Sequence, residues 1–269
     1  MIRLAIRVRR DQSELVLAEL LQLAPTGVEE VDGDGVVEYA VYGAPGELPM
    51  LPDLHAAAGE ALVEISTTEV AEDWRERWRS YHRPAVVAGR LTVRPPWEPP
   101  SSTPLEVVID PGQAFGTGAH TTTRLCLELL LELPPTGSLL DLGYGSGVLA
   151  IAAARLGYAR VFAVDSDPAA VAATQANAAR NAVEIDVGRA DLRSDPLPGA
   201  ETVTANLLAP LLERWAADLA RSHHKARRII AGGLLTDEAA STATAFAECG
   251  LREIRRVQHR GWAALLLES

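Results

Sequence analysis

The sequence predicts an α/β fold: a mostly parallel, doubly wound sheet of seven strands, preceded by a small α+β unit. Three observations carry this. Leu139 to Gly147, LLDLGYGSG, reads as a buried strand running into a glycine turn, and an alanine-rich helix follows from about Val148 to Leu156. Val161 to Asp165 repeats the pattern, a β-branched apolar run whose acid lies 22 residues beyond Gly143. Strands and helices then alternate up to two final strands, Leu251 to Gln258 and Gly261 to Leu267, whose link is too short for a parallel crossover and must join an antiparallel pair.

The elements follow in order. Ile2 to Val8 alternates apolar and basic residues with period two, a strand pattern and not a signal peptide. Ser13 to Leu23 is an amphipathic helix with Leu15, Leu20 and Leu23 among its apolar positions. Gly27 to Val31 and Val36 to Tyr42 are strands joined by the glycine and acid turn Asp32 to Gly35. A short helix around Leu54 to Gly59, blurred by Pro45 to Pro52, and a strand Ala61 to Ser66 complete a β-α-β-β-α-β order, the ferredoxin-like arrangement. The expected domains are thus an amino-terminal ferredoxin-like unit over 1–68, a linker helix over 69–84 and an α/β domain over 85–269. In the linker, Trp74 and Trp78 share a face at i, i+4 and Arg75, Arg77 and Arg79 spread around the rest, as in a stiff connector packed between domains.

Val86 to Trp97 and Leu105 to Ile109 read as strands around the proline-rich loop Pro95 to Pro104. Asp110 to Leu130, DPGQAFGTGAHTTTRLCLELL, is too rich in glycine for regular structure in its first half and becomes a leucine-rich helix near Thr122. After Asp165 come a helix Pro168 to Asn181, a strand Glu184 to Val187, a strand Thr202 to Ala205 running into Asn206 to Pro210, and a helix to about His223. A strand Arg228 to Ala231, a loop Gly232 to Leu235 and a helix Thr236 to Cys249 precede the closing pair.

Composition narrows the class. With 269 residues, 48% hydrophobic and 23% charged, the chain holds one large domain and a small one. No apolar run reaches the length of a membrane span, so a cytoplasmic location without membrane contact is expected. The single lysine, Lys225, is not part of a G-K-[ST] sequence, which excludes a phosphate-binding loop of that kind. Cys126 and Cys249 lack metal-ligand spacing and read as small buried hydrophobes, so no metal is expected. Of the net charge of −11, residues 1–70 hold −9, four arginines against thirteen acids. Such a module repels phosphate backbones, so direct nucleic-acid readout is not expected, and it suits either a basic partner or simple solubility.

The glycine turn and the two acids describe a nucleotide-type pocket. Gly143, Gly145 and Gly147 stand at alternate positions, and Val148 replaces the last glycine of G-x-G-x-x-G, so the dinucleotide spacing fits poorly. Asp141, two residues before Gly143, repels a pyrophosphate and suits the α-ammonium group of S-adenosylmethionine. Asp165 is placed for ribose hydroxyls, because Asp167 before Pro168 already serves as helix cap. Asp191 can meet an adenine amino group or make a plain turn, Phe115 in the loop before the helix can shield an adenine or sulfonium, and Thr122 can cap that helix or serve the site.

Together these segments resemble one family, the ribosomal protein L11 methyltransferases. The likeness is carried by DWRERW (73–78), DPGQAFGTGAHTTTRLC (110–126), LLDLGYGSGVLAIAAARLG (139–157), VDSDPAAVAATQANAARNAV (164–183) and TANLLAPL (204–211), and it runs from about residue 70 onward. It implies a Rossmann-like methyltransferase domain with S-adenosylmethionine contacts at Thr122, Gly143, Asp165 and Asn206. It also implies methylation of lysine side chains and the terminal α-amine of a basic large-subunit ribosomal protein, recognised by the amino-terminal domain, with the enzyme acting as a monomer. Tyr144 stands where the family usually has cysteine, Thr121 where it has proline, and Thr202 near an expected acid. For catalysis, Asn206 is expected to hold the amine through its side-chain oxygen, and His120 is either the base for that amine or a residue that orders its loop. A methyltransferase of the same fold for another protein or a small amine, and a cofactor-binding module without catalysis, are the competing readings.

Overall fold

The computed structural model describes residues 2–24, 28–33, 35–43, 48–69, 82–111, 120–221 and 226–269. The loop containing Phe115 and the tryptophan-bearing part of the expected linker helix lie outside the described residues. The chain divides into two compact units, Met1–Tyr81 and His82–Ser269.

In the first unit, strands β1 (Ile2–Arg9), β2 (Glu29–Asp32), β3 (Val36–Gly43) and β4 (Leu62–Glu69) form an antiparallel sheet in the order β2-β3-β1-β4, with helices α1 (Ser13–Leu23) and α2 (Leu51–Ala58) between them. Period-two alternation sends Leu4, Ile6, Val8, Val37, Tyr39 and Val41 inward with Leu17, Leu20 and Leu54. The buried Tyr39 hydroxyl donates to the Ser13 carbonyl at 2.9 Å. Helix α2 starts earlier than expected because Pro52 falls at its first turn, where the missing N–H costs nothing. On the other face, Glu38 accepts from Arg3 at 2.6 Å and Arg7 at 2.7 Å, while Arg10 meets Asp32 at 2.9 Å and Arg9 meets Asp11 at 3.6 Å. All four arginines among the described residues of this unit are therefore engaged by its own acids.

The second unit begins with a three-stranded sheet of β5 (Ala85–Val87), β6 (Leu91–Arg94) and β7 (Leu105–Val108). The continuous strand expected from Val86 to Trp97 is in fact a hairpin. Ala88 and Gly89 turn the backbone at φ 48° and 65°, and Arg90 N–H returns to the Val87 carbonyl at 3.0 Å.

Strands β8 (Ser138–Leu142), β9 (Arg160–Asp165), β10 (Asp186–Arg189), β11 (Thr202–Asn206), β12 (Arg228–Leu235), β13 (Arg252–His259) and β14 (Trp262–Glu268) form a mixed sheet in the order β10-β9-β8-β11-β12-β14-β13. The first five run parallel, and β14 is antiparallel to both β12 and β13. Helices α3 (Thr121–Glu132), α4 (Val148–Leu156) and α5 (Pro168–Arg180) adjoin one another, as do α6 (Ala209–Arg221) and α7 (Ala239–Ala247). Leu140, Leu142, Val203, Ala205, Ile229, Ala231, Leu265 and Leu267 join Leu212, Trp215 and Phe246 of α6 and α7 in one core. The parallel strands read as apolar runs because the sheet is covered on both faces.

Two details depart from expectation. Gly232 and Gly233 do not leave the sheet: β12 continues through them to Leu235, with a bulge between Ala231 and Leu234 and Gly233 at φ 80°. Cys126 is buried as expected, but Cys249 is only half-buried, its thiol donating to the Phe246 carbonyl at 3.0 Å.

Two asparagines of the α5 region tie the site's periphery to its centre. Asn177 accepts from Asp110 N–H at 3.0 Å and donates to the Ser146 carbonyl at 3.0 Å, and Asn181 closes both hydrogen bonds of Val108, at 2.8 and 2.7 Å. Replacing Asn177, which is 1% exposed, leaves two backbone groups unsatisfied in the interior. Asn177→Ala is expected to cost about 1 to 3 kcal/mol in urea unfolding, whereas a solvent-facing change such as Gln175→Ala stays within about 0.5 kcal/mol.

Candidate functional site

The carboxyl ends of β8, β9 and β11 meet where the strand order reverses, the place where open parallel sheets form their clefts. The register aligns them: Leu142 lies beside Val164 and Ala205, and Asn206 beside Gly232. The glycine turn, the acid of β9 and the asparagine of β11 therefore arrive at one end of the sheet.

The turn depends on its glycines in two ways. Gly143, Gly145 and Gly147 all take positive φ, at 67°, 53° and 80°. A Cβ on Gly143 would overlap Leu207 Cδ2, and one on Gly147 would stand 2.6 Å from the Thr174 side chain. Gly145 N–H donates to Asp165 Oδ2 at 3.1 Å, so the turn and the tip of β9 are locked together. The other oxygen of Asp165 accepts from Asp167 N–H at 3.0 Å, and Asp167 caps α5 through Ala169 N–H at 2.8 Å.

Asp141 has a different place from the one expected. It is 1% exposed; Oδ1 accepts from the Thr204 hydroxyl at 2.7 Å and Oδ2 from Ala150 N–H at 3.1 Å. Its carboxylate joins β8, β11 and the first turn of α4, and burial pushes it up to about 7. Asp141 thus braces the turn from beneath and does not present itself to an ammonium group.

Tyr144 and Asp191 are likewise taken up by the fold. The Tyr144 ring is buried, spanning β9 so that its hydroxyl donates to the Gly188 carbonyl of β10 at 3.3 Å, and burial beside Asp165 raises the phenol well above its usual range. Asp191 accepts from Arg193 at 2.8 and 3.0 Å, which holds its carboxyl at about 2, and it caps the turn that follows β10. Of its two readings, the turn is the one realised.

The opposite wall is built by α3. His120 caps this helix, its Nδ1 accepting from Thr122 N–H at 3.3 Å, so the capping role open to Thr122 falls to the residue before the helix. The ring packs edge to face on Trp262 at 5.4 Å, and burial lowers the imidazole to about 4. An Nδ1 that accepts a backbone N–H carries no proton, so the Thr122 hydroxyl, 2.8 Å away, donates to it. The Thr122 oxygen is then free to accept from Asn206 Nδ2 at 3.3 Å, and Thr123 Oγ1 accepts from the same amide at 3.4 Å. This relay turns the Asn206 amide nitrogen toward α3. Asn206 Oδ1, buried, has no hydrogen-bond partner among the described residues. With Nδ1 accepting the cap and burial lowering its basicity, His120 orders the start of α3 in this arrangement.

The structure thus links Thr122 to Asn206 and Asp165 to the glycine turn at the same end of the sheet, while Asp141, Tyr144 and His120 are engaged by the surrounding fold. No group of three or more metal-ligating side chains exists among the described residues, and no described helix is long and apolar enough to cross a membrane.

The profile of the ribosomal protein L11 methyltransferase (PrmA) family matches residues 50–269. The chain belongs to this family. The ribosomal protein L11 methyltransferase of Symbiobacterium thermophilum is 41% identical over 198 residues, 72% of this chain and 65% of the relative, so the match spans just under two thirds of that protein. That of Geobacter sulfurreducens is 38% identical over 254 residues, 90% of this chain and 84% of the relative. The crystal structure of a ribosomal protein L11 methylase from Lactobacillus delbrueckii subsp. bulgaricus superposes with a TM-score of 0.61 at 27% identity, covering 70% of this chain and 98% of that one.

Sequence reasoning missed Thr204, Thr123 and the Gly232–Gly233 pair. Thr204 is the register partner of Asp141 but lies 63 residues along the chain, so its role is invisible without strand pairing. The His120 assignment has a pH consequence. Between its ordinary 6.5 and its folded value of about 4, the unfolded chain takes up a proton that the folded chain lacks, so this residue makes stability fall as pH drops through that window. In urea unfolding at pH 7.5 and pH 5, His120→Ala should lower stability by about 1 kcal/mol through the lost cap and show a smaller loss between the two pH values than the parent.

Proposed function

We propose that this family member is an S-adenosylmethionine-dependent N-methyltransferase that modifies lysine side chains and the terminal α-amine of ribosomal protein L11. The observation that carries the reading is the buried Asn206 Oδ1 at the end of β11, without a partner among the described residues and next to Leu207, which packs against the glycine turn. A lone acceptor in the interior is costly unless a donor arrives from outside, and a neutral amine is such a donor.

The residues fit the cofactor. Asp165 and Asp167 stand at the tip of β9 against the glycine turn, a local charge that disfavours phosphate and suits a nucleoside bearing a sulfonium and an ammonium group. Asp165 would hold the ribose hydroxyls, the glycine turn would let the methionine portion approach the backbone, and Thr122 would stand beside it. When bound, the sulfonium supplies a methyl group attached to a good leaving group.

What remains for the protein is alignment and protonation state. Asn206 Oδ1 accepts a hydrogen from the substrate amine and so directs the nitrogen lone pair away from itself, toward the methyl group. Desolvation in the site favours the neutral amine, which removes the need for a strong base and agrees with the low basicity of His120. Alignment of this kind can lower a barrier by about 7 to 11 kcal/mol. The amino-terminal unit, which we read as ferredoxin-like, keeps its four described arginines occupied internally and offers excess acid to a basic ribosomal protein.

Methyl transfer from labelled S-adenosylmethionine to purified L11 tests the reading. Asn206→Ala should lower kcat about a hundredfold while the melting temperature shifts by only a few degrees. Near-parental turnover by that variant would exclude Asn206 as the amine ligand, and labelling of other lysate proteins in preference to L11 would exclude the substrate.

A further inference from the structure

The adjacent glycines of β12 make different demands. Gly233, at φ 80°, would bring a Cβ to 2.5 Å from the Leu207 carbonyl oxygen, so both its conformation and the path of the following loop require glycine. Gly232 has no positive φ, and its backbone is open to any residue. Only space excludes a side chain there.

That space borders the site. Gly232 is the register partner of Asn206 on β11, and its carbonyl accepts from Leu207 N–H at 3.1 Å, which fixes the distance between the two strand ends. A Cβ on Gly232 would overlap Cys126 Sγ on one side and stand 3.2 Å from Asn206 Oδ1 on the other, with Ala264 Cβ at 3.7 Å behind it. The oxygen side is the softer of the two. Cys126 is fixed within α3, whose Leu125, Leu127, Leu129 and Leu130 are all buried, whereas the Asn206 amide rests on two long hydrogen bonds of 3.3 and 3.4 Å.

We infer that Gly232 is a positioning residue of the amine site: the absence of its side chain leaves the volume in which the Asn206 carboxamide points Oδ1 toward the substrate nitrogen. This rests on the reading of Asn206 given above. It assigns to β12 a part in methyl transfer distinct from its part in the sheet, since a Cβ at 232 rotates the carboxamide off the relay from Thr122 and Thr123 without touching Asp165 or the glycine turn.

The test separates the site from the packing by first making room at Cys126. Gly232→Ala is introduced into a Cys126→Ala background, where the clash with sulfur is gone and the contact with Asn206 Oδ1 remains. Relative to Cys126→Ala alone, kcat for methylation of purified L11 should fall roughly tenfold or more. The side-chain amide NMR signals of Asn206, assigned by their loss in Asn206→Ala, should move, and the dissociation constant for S-adenosylmethionine measured by calorimetry should change less than the turnover. Unmoved Asn206 signals, a kcat within about twofold of the Cys126→Ala parent, or failure of the double variant to fold would each overturn the inference, the last because the space would then belong to strand packing. If instead Asn206→Ala itself keeps full activity, the reading of Asn206 fails, while the NMR shift still reports whether Gly232 sets its orientation.

Discussion

The site depends on one buried carboxylate. Asp141 accepts from Thr204 on the neighbouring strand and from Ala150 in the first turn of α4, so the strand that enters the glycine turn, the helix that leaves it and the strand that carries Asn206 are held by the same two oxygens. A lone buried charge is expensive; here two donors offset the desolvation and the group's affinity for a proton rises to match. Because the brace lies one residue before the end of β8 and two before the end of β11, the relative height of the turn and of Asn206 is fixed by hydrogen bonds of 2.7 and 3.1 Å and not by loop conformation.

Around that brace, the remaining polar side chains divide by what they face. Asp165 is shared between the turn and its own helix start, His120 is shared between a cap and a threonine hydroxyl, and Asn177 and Asn181 serve the backbone that precedes the loop. Among the described residues at this end of the sheet, Asn206 is the one whose buried oxygen has no partner. The asymmetry between satisfied supports and one unsatisfied acceptor turns a strand end into a place for an incoming donor.

Much of this was readable in the sequence, and each part that was not has its own cause. The glycine turn, Asp165 and the asparagine of TANLLAPL carry local signals: alternate glycines, an acid at a fixed interval and a polar residue ending an apolar strand. The bracing role of Asp141 required knowing that Thr204 is its partner on β11, a product of long-range pairing, whereas the cap from His120 to Thr122 N–H is local and went unread because histidine is not among the usual capping residues. The hairpin at Ala88 was hidden because alanine carries no turn signal. The strand through Gly232 was lost because adjacent glycines resemble a loop when the partner strand is unseen.

The position of β14 has a consequence for how the molecule is made. It lies between β12 and β13 although it is formed after both, so until it inserts, β12 presents an unpaired edge with Ile229, Ile230 and Ala231 waiting for Leu265, Leu266 and Leu267. In folding, the parallel half of the sheet can assemble in chain order, but β12, whose other edge pairs with the strand carrying Asn206, gains its outer neighbour only when the closing hairpin of β13 and β14 docks. The backing of the cleft is therefore completed in one step, when that hairpin closes over the exposed edge of β12.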